Sequence, residues 1–347
     1  MIEARGIVKS YGVRNNGKDS TVHALRGVDF EIPDGGAVSV IGESGCGKTT
    51  LGRILAGVEP ADSGDITING VQLASLRRKP RSVAFQRIQL IHQDPYSALN
   101  PTRTVEAILT DPLMLRAKQT KRDQLWVHKR MNELLDLVGL DAEYTLPRYP
   151  HQLSGGMRQR VVIARALTVD PDVLVADEAV SMIDVSLRLG ILALLRKLRA
   201  ELGISVLFVT HDVAAARYIG EDSHIYVLYR GTVVERGLAD DVIMNPTHPY
   251  TQSLLSAIPI LKGLEQEAEE SVVPLAPLVE SQSDTGCLFV ARCPFARSEC
   301  QDAVPQLIPV QCLSGSPHQA TEHHQACLFP QARAVIAVSV DASDRES

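Results

Sequence analysis

Nowhere does this 347-residue chain carry a run approaching 18 consecutive apolar positions, roughly the minimum for a membrane-crossing helix. Its first residues, MIEARGIVKSYGVRNN, hold no apolar segment of the kind a secretory signal requires, so no such signal is expected there. Positive charge is not in excess: 35 Lys and Arg face 41 Asp and Glu, a net charge of −6. A generic nucleic-acid binder is usually basic, so that class is disfavoured. No repeat with a period of roughly 20–50 residues is present, which excludes a solenoid or a propeller. Cysteine is almost missing from the first 286 residues, where Cys46 stands alone, and five more crowd into 287–327. What remains is an ordinary globular mixture, 45% hydrophobic and 22% charged with 24 Gly and 19 Pro, which excludes collagen-like and wholly disordered chains. At roughly 150 residues per domain the length suits about two domains, or one large domain with an extension.

Short apolar runs alternate with helical patterns over the first 250 residues. Ala37–Ile41 follows the turn residues Pro33-Asp34-Gly35-Gly36 and precedes a glycine loop; Val173–Ala176, Ser205–Val209 and His224–Leu228 are similar. Such runs suit strands covered on both faces of a parallel sheet. Between them, residues 121–139 place Leu125, Met131, Leu134, Leu135 and Val138 on one expected helix face, and 186–202 form a helical pattern stopped by Gly203. Alternation of this kind predicts a βαβ architecture. Near residue 260 the composition turns acidic, then rich in Ser, Val and Pro, which reads as a linker at about 260–285. The residues from Asp341 to Ser347 are polar and expected to fray.

Gly42-Glu43-Ser44-Gly45-Cys46-Gly47-Lys48-Thr49 fits the phosphate-loop pattern, after a predicted strand and before a helical pattern that starts at Thr50. Glycines let backbone N–H groups curl around phosphate oxygens, and the helix adds its positive end. Lys48 is expected over the outer phosphates and Thr49 on Mg²⁺. The bland reading, a glycine turn with an accidental lysine, lacks the strand–loop–helix context. The run 173–176 ends in Asp177-Glu178, two carboxylates at a strand tip. Asp177 can orient Mg²⁺ and Glu178 can polarise an attacking water. His211, just past another strand, can bond a γ-phosphate oxygen, although alone it reads equally as a helix-start histidine. Gln93 ends a further apolar run. In Leu153-Ser154-Gly155-Gly156-Met157, Ser154 is a helix N-cap and Gly155-Gly156 expose backbone N–H groups, a second anion-seeking loop. One nucleotide needs one phosphate loop, so the second suggests a partner's site.

In order and approximate spacing, Gly42–Thr50, Gln93, Leu153–Gly156, Asp177-Glu178 and His211 resemble an ABC-transporter ATP-binding subunit. The resemblance covers roughly residues 1–250. It implies an α/β P-loop NTPase core with a helical subdomain at about 95–165, and a small cysteine-containing extension over 251–347. It also implies a head-to-tail pair of ATPase subunits that sandwich two ATP. The implied roles are adenine stacking for Tyr11, phosphate and Mg²⁺ binding for Lys48 and Thr49, and Mg²⁺ sensing for Gln93. Glu178 is then the catalytic base, His211 the γ-phosphate switch, and Asp184 part of a loop that crosses to the partner. Met157 stands where many members have Gln, and Ala179-Val180 where many have Pro-Thr; neither removes a phosphate contact or the base.

Asp94–Pro101 and His248–Pro259 resemble the oligopeptide, dipeptide and nickel import branch. That branch implies two permease subunits, a second, paralogous ATPase subunit, and an extracytoplasmic solute-binding protein, with the chain at the cytoplasmic face of the inner membrane. Its solutes include peptides, nickel, opines and sugars, and these residues do not choose among them. The rivals are a soluble ABC ATPase acting on ribosomes or nucleic acid, and a regulatory subunit that binds ATP without cleaving it. The first usually has two cassettes or a long coiled-coil insertion, and the complete set of ATPase motifs argues against the second. Gly286-Cys287-Leu288-Phe289, Arg292-Cys293-Pro294-Phe295-Ala296 and Ala326-Cys327 resemble the C-terminal segment of peptide-importer ATPases, in which some members carry a [4Fe–4S] cluster. Ligation of such a cluster, or of zinc, by Cys287, Cys293, Cys300 and Cys327, with Cys312 a bystander, stands against a bundle of buried thiols with no metal.

Overall fold

The structure, a computed structural model, describes residues 1–15, 18–73, 84–181, 183–220, 222–256, 285–310 and 322–331. Most of the expected 260–285 linker, together with Cys312, lies outside the described residues.

Twelve strands among these residues form two sheets. The chain opens with β1 (Ile2–Asn15) and β2 (Lys18–Ile32), then β3 (Ala37–Ile41), β4 (Ser63–Ile68), β5 (Val71–Gln72) and β6 (Ile88–Ile91). There follow β7 (Val173–Asp177), β8 (Ser205–Val209), β9 (His224–Tyr229), β10 (Thr232–Leu238), β11 (Ile308–Pro309) and β12 (His324–Gln325). The small sheet has the order β2-β1-β4-β5 and is antiparallel throughout. The large sheet runs β11-β12-β10-β9-β3-β8-β7-β6. Its centre, β9 to β6, is parallel, while β10, β12 and β11 add antiparallel at one edge.

The wholly apolar strand runs are explained by cover on both faces. Leu174, Ala176, Val206 and Phe208 point into a core shared with the helices Val105–Thr120, Gln124–Leu137, Gly155–Leu167 and Val185–Leu202. Their neighbours Val173, Val175, Leu207 and Val209, with Val38 and Val40, point into a second core shared with the small sheet and the helix Lys48–Leu55. Alternate side chains take opposite faces, so a strand buried on both cannot show polar alternation.

A third core packs Tyr229, Val234 and Val242 against Tyr250 and Phe289. Residues of the C-terminal segment therefore extend the main sheet and complete a core. One expectation fails: Leu125 is 76% exposed, whereas Val127 is buried with Met131, Leu134 and Leu135. Asp123 caps the helix by accepting from the Trp126 N–H, which starts the helix at Gln124 and turns Leu125 outward. Among the described residues no helix is long and apolar enough to cross a membrane.

Candidate active site

The phosphate loop joins the end of β3 to the helix Lys48–Leu55. Gly42 and Gly47 have φ of +151° and +107°, a region that favours glycine. A Cβ on Gly42 would run into the Leu228 carbonyl oxygen, and one on Gly47 into that of Ala24. Gly47 occupies the helix N-cap with no side-chain cap, so the first-turn N–H groups are left for an anion. Lys48 is buried, and its ammonium donates to the carbonyls of Gly42 and Glu43, each at 2.8 Å. Cys46 belongs to this loop, and burial pushes its thiol up.

Thr49 Oγ1 donates to Asp177 Oδ1 at 3.0 Å. Burial raises the Asp177 carboxyl above its ordinary range, with the Thr49 bond opposing. A buried carboxylate beside a hydroxyl at the mouth of an anion cradle is the hard-oxygen donor set that Mg²⁺ takes, so these residues fit the ion.

Glu178 leaves the strand with φ of +47°, a left-handed conformation costing a non-glycine residue about 1–2 kcal/mol. Three backbone-directed bonds hold it. Its N–H donates to the Val209 carbonyl at 2.9 Å, and its own carbonyl accepts from Ser181 N at 3.0 Å and Ser181 Oγ at 2.9 Å. The turn brings the carboxylate between Gln93 and His211. Gln93 Nε2 donates to Glu178 Oε2 at 2.8 Å and to Ser181 Oγ at 3.3 Å. His211 Nδ1 lies 3.5 Å from Glu178 Oε1, on a side chain 60% exposed. Three residues from three strand ends thus meet at one carboxylate. Ala179 and Val180, which follow Glu178, are buried in the helix-facing core.

The remaining expected residues are placed differently. Tyr11 is exposed on β1, and its O–H donates to Glu59; burial, then that bond, pushes its phenol up. Ser154 caps the helix Gly155–Leu167, accepting from Met157 N at 3.3 Å. Among the described residues no hydrogen bond joins Ser154, Gly155 or Gly156 to the phosphate loop.

Cys287, Cys293, Cys300 and Cys327 line one pocket with Phe289, Phe295, Phe329 and His248. Burial pushes the thiols of Cys287 and Cys293 up, and that of Cys327 up to about 11. The four cysteines line one largely apolar pocket, yet among the described residues no group of three or more potential ligands is disposed to hold a metal. As packed, the pocket does not fit a cluster.

Two partners of the phosphate loop escaped the sequence reading. The Tyr250 hydroxyl accepts from the Glu43 N–H at 2.8 Å. Arg292 donates to both Glu43 carboxylate oxygens, at 2.8 and 2.9 Å. The only signal was that both lie in stretches resembling the peptide-import branch.

Residues 25–181 match the ABC transporter family, and residues 234–300 match the C-terminal region of oligopeptide/dipeptide transporters. The chain is 37% identical to the dipeptide transport ATP-binding protein of Haemophilus influenzae over 310 residues, 88% of this chain and 92% of that one. It belongs to the ABC transporter ATP-binding family, in its oligopeptide/dipeptide branch. The dipeptide transport ATP-binding protein of Escherichia coli is 38% identical over 314 residues, 88% of this chain and 90% of that one. Among solved structures, a dimeric ATP-binding cassette in a post-hydrolysis state, bound to ADP and Pi, aligns with a TM-score of 0.60 at 30% identity. It covers 69% of this chain and 99% of that cassette.

Proposed function

We propose that this chain is the ATP-hydrolysing subunit that energises a multi-subunit bacterial importer of peptides. The observation that carries the reading is the meeting of Gln93, Glu178 and His211 beside the Lys48–Thr49–Asp177 cradle, in a member of the peptide-import branch. The glycine loop and helix start bind the triphosphate, and Lys48 exchanges its two carbonyl partners for phosphate oxygens. Thr49 and Asp177 are the residues to hold Mg²⁺, which when bound neutralises charge building on the phosphates. Glu178 accepts the proton of the attacking water as its oxygen approaches the γ-phosphorus, and the bond to the β-bridging oxygen breaks. Gln93 and His211 hold the Glu178 carboxylate in line, and His211 is exposed enough to reach the γ-phosphate.

Gly155 and Gly156 open the helix capped by Ser154, and among the described residues no hydrogen bond joins them to the phosphate loop, which supports a site completed across a pair of ATPase subunits, the second a paralogue. Two permeases supply the membrane spans and an extracytoplasmic binding protein delivers the peptide. The chain then sits peripherally at the cytoplasmic face, and nucleic acid is not among its partners. Expression with its neighbouring permease genes and purification from membranes tests this. The expected result is a complex with two permeases whose ATPase rises with peptide-loaded binding protein. Purification with ribosomes, or stimulation by DNA alone, would overturn it.

For the cysteine pocket the packed, metal-free reading is favoured by the lack of any metal-holding group among the described residues, with a [4Fe–4S] cluster or zinc on the four cysteines the alternative. Iron, sulfide and zinc assays on anaerobically purified protein separate the readings: a cluster gives a brown protein containing iron and sulfide, zinc a colourless one containing that metal, and packed thiols a colourless one with none of the three.

A further inference from the structure

Glu43 is held from three sides. Its carbonyl accepts from the Lys48 ammonium, its N–H donates to Tyr250, and its carboxylate is gripped at both oxygens by Arg292. Tyr250 and Arg292 come from the C-terminal end, Arg292 from 249 positions away in sequence. The Arg292 side chain is 4% exposed, so this is no screened surface pair. It lies about 6 Å from the rings of Tyr229 and Phe289, which pack on each other and on Tyr250. Its backbone is fixed in the turn Val290–Arg292, where Arg292 N donates to Phe289 O at 2.9 Å and Val290 N to Cys287 O at 3.0 Å.

We propose that Arg292 is a positioning residue of the nucleotide site: it fixes Glu43, and through it the Lys48 carbonyl cradle, and neutralises a carboxylate that would otherwise repel the triphosphate. The inference rests on the ATPase reading above. A planar guanidinium fork matches a carboxylate in both geometry and charge. Nothing in the bond pattern places Arg292 on the reacting atoms. It therefore acts on the binding of ATP rather than on the chemical step, and the effect belongs in KM. The C-terminal turn is on this account a wall of the ATP site, so disturbance of the cysteine pocket behind it reaches the phosphate loop.

The test measures steady-state ATPase of the assembled transporter carrying Arg292→Gln, Glu43→Gln/Arg292→Gln, or neither. The expected result is a rise of about tenfold in KM for ATP in Arg292→Gln, with kcat within about twofold of the unsubstituted complex. The double variant leaves no charge unpaired and recovers KM to within about threefold. A merely structural role for Arg292 would lower the amount of active complex, and so the apparent kcat, with KM for ATP unchanged. An unchanged KM in Arg292→Gln, or a KM defect that persists in the double variant, overturns the proposal. Should Arg292→Gln fail to fold, Arg292→Lys keeps the charge but loses the fork; a KM rise of about threefold supports the proposal and none overturns it. If the unsubstituted complex neither binds nor hydrolyses ATP, it is the ATPase reading that fails.

Discussion

His248 is wholly buried between β10 and the cysteine pocket, and its Nδ1 accepts from the Tyr250 N–H at 3.0 Å. Burial pulls its pKa down from 6.5 to about 4 despite the pull of the Glu235 carboxylate. The folded ring is thus neutral where an unfolded one is charged, and below pH 6.5 the unfolded chain binds the extra proton. Stability from this group is therefore fully present above pH 6.5 and is lost as pH falls toward 4. At 1.36 kcal/mol per pH unit, the full loss is about 3 kcal/mol, and about 2 kcal/mol of it falls between pH 7.5 and 5.0. His248→Asn supplies an acceptor close to the position of Nδ1 and cannot titrate. It lowers stability at every pH through the space it leaves, but it removes the slope. Urea unfolding at pH 7.5 and 5.0 on both proteins gives the comparison. The difference between the two pH values should be smaller in the variant by about 2 kcal/mol. An identical pH dependence in the two proteins would refute the reasoning that a neutral buried imidazole resists acid here.

Two further outcomes follow from the nucleotide site. Gly47→Ala must put a Cβ into the Ala24 carbonyl at φ of +107°; we expect at least a tenfold loss of ATP affinity with the fold retained by circular dichroism. Asp177→Asn removes the charge from the Mg²⁺ donor pair, and the Mg²⁺ concentration for half-maximal ATPase should rise by about tenfold or more, read from a Mg²⁺ titration at fixed ATP.

The parallel strands and the phosphate loop were legible because their signals are local. An unbroken apolar run such as Val173–Ala176, a glycine pattern, and a capping Ser154 each need only a few neighbouring residues. The small antiparallel sheet gave no such signal: β1 and β2 carry bulges, between Ala4 and Ile7 for example, which break strict alternation. Leu125 fitted a helical face by spacing, yet Asp123 set the start of the helix and left it in solvent. The grip of Arg292 on Glu43 joins residues 249 positions apart, and the pairing of β12 with β10 likewise joins segments distant in sequence. Motif spacing carries nothing about such contacts. The same holds for Glu235, buried without exposure and bonded by Thr247, His248 and His323, which secures the C-terminal segment to the sheet.

The central claim is that Glu178 is the base of an ATPase. Measuring ATP binding and steady-state hydrolysis side by side for the unsubstituted protein and Glu178→Gln tests it most directly. The amide keeps the shape but cannot take a proton, so binding should stay within about threefold while turnover falls by about 10²–10⁴-fold. Retention of substantial hydrolysis by Glu178→Gln would contradict the assignment.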